Sequence, residues 1–130
     1  MNGHLVARHK ELDVWKRSLV LAETTYTATR DFPPEEKYAL SLQMRRAAVS
    51  VLSNVSEGAA RRTRADYLRF LHIARGSLAE LDAQAALAGR LKFSDVRLRQ
   101  LQREIARVGQ LLNAQIASLK RAPPLDNEAE

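Results

Sequence analysis

The chain has 130 residues, no cysteine and a formal net charge of +6, with 45% hydrophobic and 28% charged residues. That length suits one domain with a real core, and the missing cysteines exclude disulfides, thiolate catalysis and Cys-ligated zinc. Five glycines and four prolines stand in a background of Ala, Leu, Arg and Glu, with no β-branched run in period-two alternation, so an all-α protein is predicted.

Residues 1–10, with His4 and His9, read as a polar, basic lead-in that frays. This stretch has no apolar core of the kind a signal peptide carries. No apolar run approaches the ~20 residues that span a bilayer. A soluble, cytoplasmic protein without membrane contact is the expectation.

The first helix is predicted from about Asp13 to Arg30. Leu12, Trp15, Leu19, Ala22 and Tyr26 recur at steps of three and four and define its core face, with Trp15 as a core anchor and Asp13 as the cap. Phe32-Pro33-Pro34 ends it, because a residue before proline avoids the α region.

Pro34 suits the first position of the second helix, predicted over 34–60, and Glu35 and Glu36 suit its positive end. Leu40, Met44, Ala47, Val51 and Asn54 form one stripe; Leu42, Val49, Leu52 and Val55 lie at other azimuths. A helix apolar over that much of its circumference is expected to bury two sides, one against the partner helices and the other against a further subunit or a cleft. Gly58 is read as loosening or ending it.

Thr63-x-x-Asp66 resembles a capping box and opens a third helix over 63–88. Tyr67, Leu71, Ala74, Leu78, Leu81, Ala85 and Ala88 keep a four-three alternation, the seam of an antiparallel bundle. Phe70, Ile73, Ser77 and Leu87 widen its apolar face. His72, between Leu71 and Ile73, is a packed or surface imidazole. Gly89 is the predicted C-terminal cap.

Ser94 is read as the cap of a fourth helix over 94–121, with Leu98, Leu101, Ile105, Val108, Leu112, Ile116 and Leu119 inward. Residues 90–121 carry eight Lys or Arg against two acids. Pro123-Pro124 closes the helix, and residues 122–130 form an acidic tail expected to be disordered. The whole predicts one domain over 1–121, an up-down-up-down antiparallel four-helix bundle.

No nucleophile elbow, phosphate-binding glycine loop, HExxH or EF-hand loop is present, and no Glu-x-x-His of a di-iron bundle. No enzyme activity, cofactor, metal or small-molecule substrate is implied. Arg61, Arg62, Arg64, Arg97, Arg99, Arg103, Arg107, Lys120 and Arg121 are the candidate phosphate contacts. Arg97, Arg103 and Arg107 are placed near one face of the fourth helix. Arg45, Arg46, Asn54, Glu57, Arg75 and Glu80 are polar where two helices should be buried; they are read as a network of Arg–Glu pairs that fixes register or a subunit contact, with an arginine cluster open to a phosphate as the alternative.

The segments LDVWKRSLVLAETTY, FPPEEKYALSLQMRRAAVSVLSNVSEG and YLRFLHIARGSLAELDAQ resemble the 23S rRNA-intervening-sequence protein family over residues 9–120. The resemblance implies a four-helix bundle similar to the accessory variability protein of diversity-generating retroelements. Members of that broader group form homopentameric rings, and the retroelement relative binds nucleic acid through a basic surface and partners a reverse transcriptase. Many intervening-sequence proteins are encoded within extra segments of 23S rRNA genes. Arg45, Arg46, Ser53, Asn54, Glu57, Gly58, Arg75, Ser77 and Glu80 fall on the family's characteristic positions. Leu52 stands where the family commonly has proline, and Val55-Ser56 replace Ile-Ala, so a straighter second helix is implied. The expectation is a homo-oligomer, pentameric by resemblance, that binds structured RNA or DNA. The alternative is a scaffold that recruits an acidic protein partner.

Overall fold

The computed structural model describes residues 2–121, with side chains described from Glu11 onward. Four helices make up the described chain: α1 (Asn2–Arg30), α2 (Leu40–Ala59), α3 (Arg64–Arg90) and α4 (Val96–Arg121). Each packs against its chain neighbours, and α1 closes the ring by packing on α4. This is the predicted antiparallel bundle, about 40 Å long at 1.5 Å per helical residue. The predicted acidic tail at 122–130 lies outside the described residues.

The two long seams lie where periodicity put them. Tyr67, Leu71, Ala74, Leu78, Leu81, Ala85 and Ala88 of α3 are buried, and so are Leu98, Leu101, Ile105, Val108, Leu112, Ile116 and Leu119 of α4. Thr63 caps α3 as read, its Oγ1 accepting the Asp66 backbone N–H at 3.2 Å.

The first helix departs from expectation in two ways. It runs from Asn2, so the lead-in is helical and Asp13 is an exposed interior residue rather than a cap. Its core face is also rotated from the predicted one. Val14, Ser18, Leu21, Ala22, Thr25, Ala28 and Thr29 are buried, while Leu12, Trp15, Leu19 and Tyr26 are 39–47% exposed. Trp15 is therefore not a core anchor. The hydroxyls belong inside because each finds an acceptor one turn back: Ser18 donates to the Val14 carbonyl, Thr25 to Leu21 and Thr29 to Thr25, all at 2.8 Å.

The second helix is shorter than predicted. Pro34–Glu36 form a separate 3₁₀ turn, and α2 begins only at Leu40, whose N–H donates to Glu36 Oε2 at 3.2 Å. The helix then runs unbroken through Leu52, which packs against the core. Val55, read as lying off the main stripe, is 1% exposed and belongs to the core, whereas Val49 is 39% exposed. Most of the apolar circumference of α2 is thus covered within the chain. The longer exposed apolar stripe is on α1.

Gly58 does not end α2. It sits buried within the helix where α2 meets α3, and a Cβ there would lie 2.9 Å from Phe70 Cβ and 3.0 Å from Tyr67 Cδ1. Gly89 is not the α3 cap either. The left-handed residue is Lys92 (φ 59°), and Phe93 N–H donates to the Ala88 carbonyl while Lys92 N–H donates to Gly89, both at 3.1 Å. That pair of bonds is a Schellman motif. It turns Phe93 back onto Phe32, with ring centroids 5.5 Å apart, so the α1–α2 and α3–α4 connections clasp each other at one end. Ser94 likewise lies before the cap. Asp95 holds that position, its carbonyl accepting the Arg99 N–H and its Oδ1 accepting from Arg99 Nη1 at 2.8 Å.

Gln115 is fully buried among apolar side chains and donates through Nε2 to the Tyr67 hydroxyl at 3.1 Å. Its Oε1 has no partner among the described residues, a cost of about 1–3 kcal/mol. Burial raises the Tyr67 pKa well above the ordinary phenol value, with the Glu11 charge adding to this and the Gln115 bond opposing it.

Gly58→Ala is expected to destabilise the fold by about 1–3 kcal/mol, because Phe70 Cβ cannot retreat without its backbone. Gly76→Ala, where a Cβ meets nothing within 4 Å, is expected to gain up to about 1 kcal/mol of helix propensity; urea unfolding of the pair is the check. The folded-state pKa of Tyr67 lies above its unfolded value, so its contribution is complete below the ordinary phenol range and is lost as pH rises from there to the raised folded-state value. Tyr67→Phe is therefore expected to flatten the fall in thermal midpoint on the alkaline side.

Candidate nucleic-acid interface

The nine candidate cations do not form one site. Three groups result from the helix directions. The antiparallel pairing of α3 and α4 is fixed by Gln115 on Tyr67 and by Arg75 Nη1 donating to Asn113 Oδ1 at 3.2 Å. It follows that the α2–α3 connection and the last turn of α4 share one end of the bundle. Arg61, Arg62, Arg64, Lys120 and Arg121 are therefore gathered there, and all but the half-buried Arg64 are exposed.

Arg61 is held in place at that end. Its guanidinium lies 4.6 Å over the Phe70 ring and 3.5 Å from Glu57 Oε2. Arg69 stacks on the same ring at 4.5 Å, with Asp66 Oδ1 at 3.9 Å from its Nε. Phe70 thus carries a guanidinium stacked on it by each of two arginines, a cation–π arrangement that orients both.

Arg97 and Arg99 lie near the opposite end, beside the Phe32–Phe93 clasp, and both are neutralised. Arg97 Nε is 3.3 Å from Asp31 Oδ2 on the α1 side, and Arg99 pairs with Asp95 at 2.8 Å. Arg97 is consequently turned away from Arg103 and Arg107, against the expectation of a common face. Arg103 and Arg107, one turn apart, are exposed and have no acidic partner among the described residues. Lys120 and Arg121 also lack one, and they sit where the negative end of α4 favours positive charge.

The expected network of Arg–Glu pairs is not assembled: none of its six members pairs with another among the described residues. Arg45 donates through Nε to Thr29 Oγ1 at 2.8 Å and lies 4.6 Å over the Tyr26 ring. Asn54 donates to the Ser50 carbonyl at 2.8 Å, and Glu57 goes to Arg61. Arg46 and Glu80 are exposed. A different contact stitches α2 to α3: the Ser50 and Ser77 hydroxyls meet at 2.8 Å. Ser50 carried no sequence signal beyond its small size at the helix edge.

Sequence reasoning also missed the partners of Arg75. Besides Asn113, its Nη2 donates to His72 Nδ1 at 3.0 Å. Both α3 residues are exposed, and the i, i+3 spacing was the available signal. Among the described residues no three His, Asp or Glu side chains are grouped to hold a metal, and no helix is long and apolar enough to cross a membrane.

Comparison with known proteins agrees with this architecture. The fold is similar to a crystal structure of a protein of unknown function from the S23 ribosomal protein family of Bacteroides thetaiotaomicron, with a TM-score of 0.75 and 21% identity, covering 83% of this chain and 98% of that one. Among curated proteins none matches. The family model for 23S rRNA-intervening sequence proteins matches residues 10–114. With nearly the whole bundle inside that match, the chain belongs to the 23S rRNA-intervening sequence protein family.

Proposed function

We propose that this protein is a non-enzymatic, cytoplasmic homo-oligomer that binds structured RNA through phosphate contacts. The observation that carries the nucleic-acid reading is a pair of exposed cations along α4, Arg103 and Arg107, and a second pair at its last turn, Lys120 and Arg121, all four without an acidic partner among the described residues. A fixed helix presenting unneutralised cations releases counterions from a phosphate backbone. Arg97 and Arg99, already neutralised, are removed from the proposed contact set. Arg61, held on Phe70, and Arg62 extend the set around the end of the bundle.

Self-association is supported by the outer stripe of α1. Leu12, Trp15, Leu19 and Tyr26 are each about two-fifths exposed or more, with Val49 of α2 39% exposed. Arg45 over the Tyr26 ring places this stripe beside α2. A row of large apolar side chains of this kind marks an interaction surface. Arg45 thus sets the stripe toward α2, while those four cations are carried by α4, on which an assembly built on the α1–α2 side makes no demand. The pentameric state is inferred from family resemblance.

Replacing Arg103, Arg107, Lys120 and Arg121 together by Gln is expected to weaken binding of an rRNA hairpin at least about tenfold at low salt, without altering the thermal midpoint by more than the loss of two helix-end charges. Electrophoretic mobility shift is the check, and a partner retained from lysate after nuclease would favour the acidic-protein scaffold instead. Trp15→Glu with Leu19→Glu is expected to give a folded monomer by sedimentation velocity where the wild type is an oligomer. A wild type that sediments as a monomer at about ten micromolar contradicts the assembly.

A further inference from the structure

The α3–α4 boundary holds a polar cluster separate from the four cations that carry the RNA reading, apart from Lys120, which belongs to both. Arg75 Nη1 donates to Asn113 Oδ1 at 3.2 Å, and Arg75 Nη2 donates to His72 Nδ1 at 3.0 Å. A guanidinium only donates, so Nδ1 must be the acceptor and the proton of the neutral ring sits on Nε2. The guanidinium is thereby held by one residue from each helix. Lys120 of α4 acts on the same imidazole electrostatically.

This arrangement cannot survive protonation of the ring. When Nδ1 gains a proton, it and Arg75 Nη2 both become donors facing each other, and the bond between them is lost. An acceptor that carries negative charge and several oxygens then satisfies both at once, and the imidazolium, guanidinium and ammonium all attract it. The charged groups acting on the ring are Arg75 from its own helix and Lys120 from the neighbouring one, both cations. Desolvation first, and then those two charges, hold the imidazole below its ordinary pKa in the free protein. An anion seated there opposes the repulsion and draws a proton onto the ring.

We propose that His72 and Arg75, steadied by Asn113, form a phosphate seat across the α3–α4 boundary that engages its ligand most fully when the imidazole is protonated, with the Lys120 charge adding to the field around it. The seat rests on the RNA reading only for the source of its phosphate, a backbone phosphodiester. The same chemistry accepts free inorganic phosphate. By linkage, affinity rises as pH falls through the His72 titration range, because the bound state holds more protons than the free state.

The test uses the full chain and two ligands. In the first arm, the His72 ring is titrated by NMR with and without inorganic phosphate, assigned by its loss in His72→Gln. The expected result is a pKa below the usual histidine value that moves up when phosphate is added. An unmoved pKa overturns the seat, whatever RNA does. In the second arm, fluorescence anisotropy follows a labelled rRNA hairpin at about pH 5.5 and about pH 7.5, at constant ionic strength. The wild type and a His4→Gln, His9→Gln variant are expected to bind several-fold more tightly at the lower pH, and His72→Gln to lose that gain. Hairpin binding with the same pH response in His72→Gln overturns the seat as an RNA contact and leaves the RNA reading standing. A raised His72 pKa with phosphate, together with no hairpin binding at either pH, retains the seat for free phosphate and sinks the RNA reading.

Discussion

The structure depends on how closely α2 approaches α3. Gly58 lies where its missing side chain would strike Phe70 Cβ, and both helices bury alanines, at 47 and 48 of α2 and at 74, 85 and 88 of α3. Small residues bring two backbones together, and dispersion contacts that are individually weak then add along the whole seam. The close approach also sets what sits at its rim. It brings the Ser50 and Ser77 hydroxyls within 2.8 Å, and it lays Phe70 under Arg61. The Ser50–Ser77 contact then ties α2 to α3, and Tyr67 and Arg75 tie α3 to α4.

The bundle class and the inward faces of α3 and α4 were legible because those helices bury Leu, Ile, Val and Ala at regular steps. The face of α1 was not. Ser18, Thr25 and Thr29 are polar by composition but spend their hydroxyls on the preceding turn, so they bury at small cost, while Trp15 and Tyr26 look like core and stay outside. A pattern that counts hydroxyls as surface rotates the helix. The caps failed for a related reason. Gly89 and Ser94 have the expected chemistry, but Lys92 takes the left-handed position so that Phe93 can reach Phe32. Tertiary packing of two aromatics outweighs the local preference of one residue.

The candidate site was legible as a set of cations and illegible as a surface. Which arginines are neutralised depends on pairs distant in sequence, such as Arg97 with Asp31, or on a cap one residue removed from the expected one, such as Arg99 with Asp95. Arg45 and Arg75 drew attention as charges in helices that must pack. Their partners turned out to be Thr29, Tyr26, Asn113 and His72, groups that bind a guanidinium without cancelling its charge. Arg45 and Arg75 are therefore left, among the described residues, without a carboxylate beside them, which a network of Arg–Glu pairs would have supplied.

The most direct measurement of the central claim is the salt dependence of hairpin binding by the wild-type protein. If four cations of α4 neutralise phosphates, the logarithm of the association constant falls linearly with the logarithm of salt concentration, with a slope of about −3 to −4. An affinity that does not change with salt, or that changes with a slope near zero, contradicts the account.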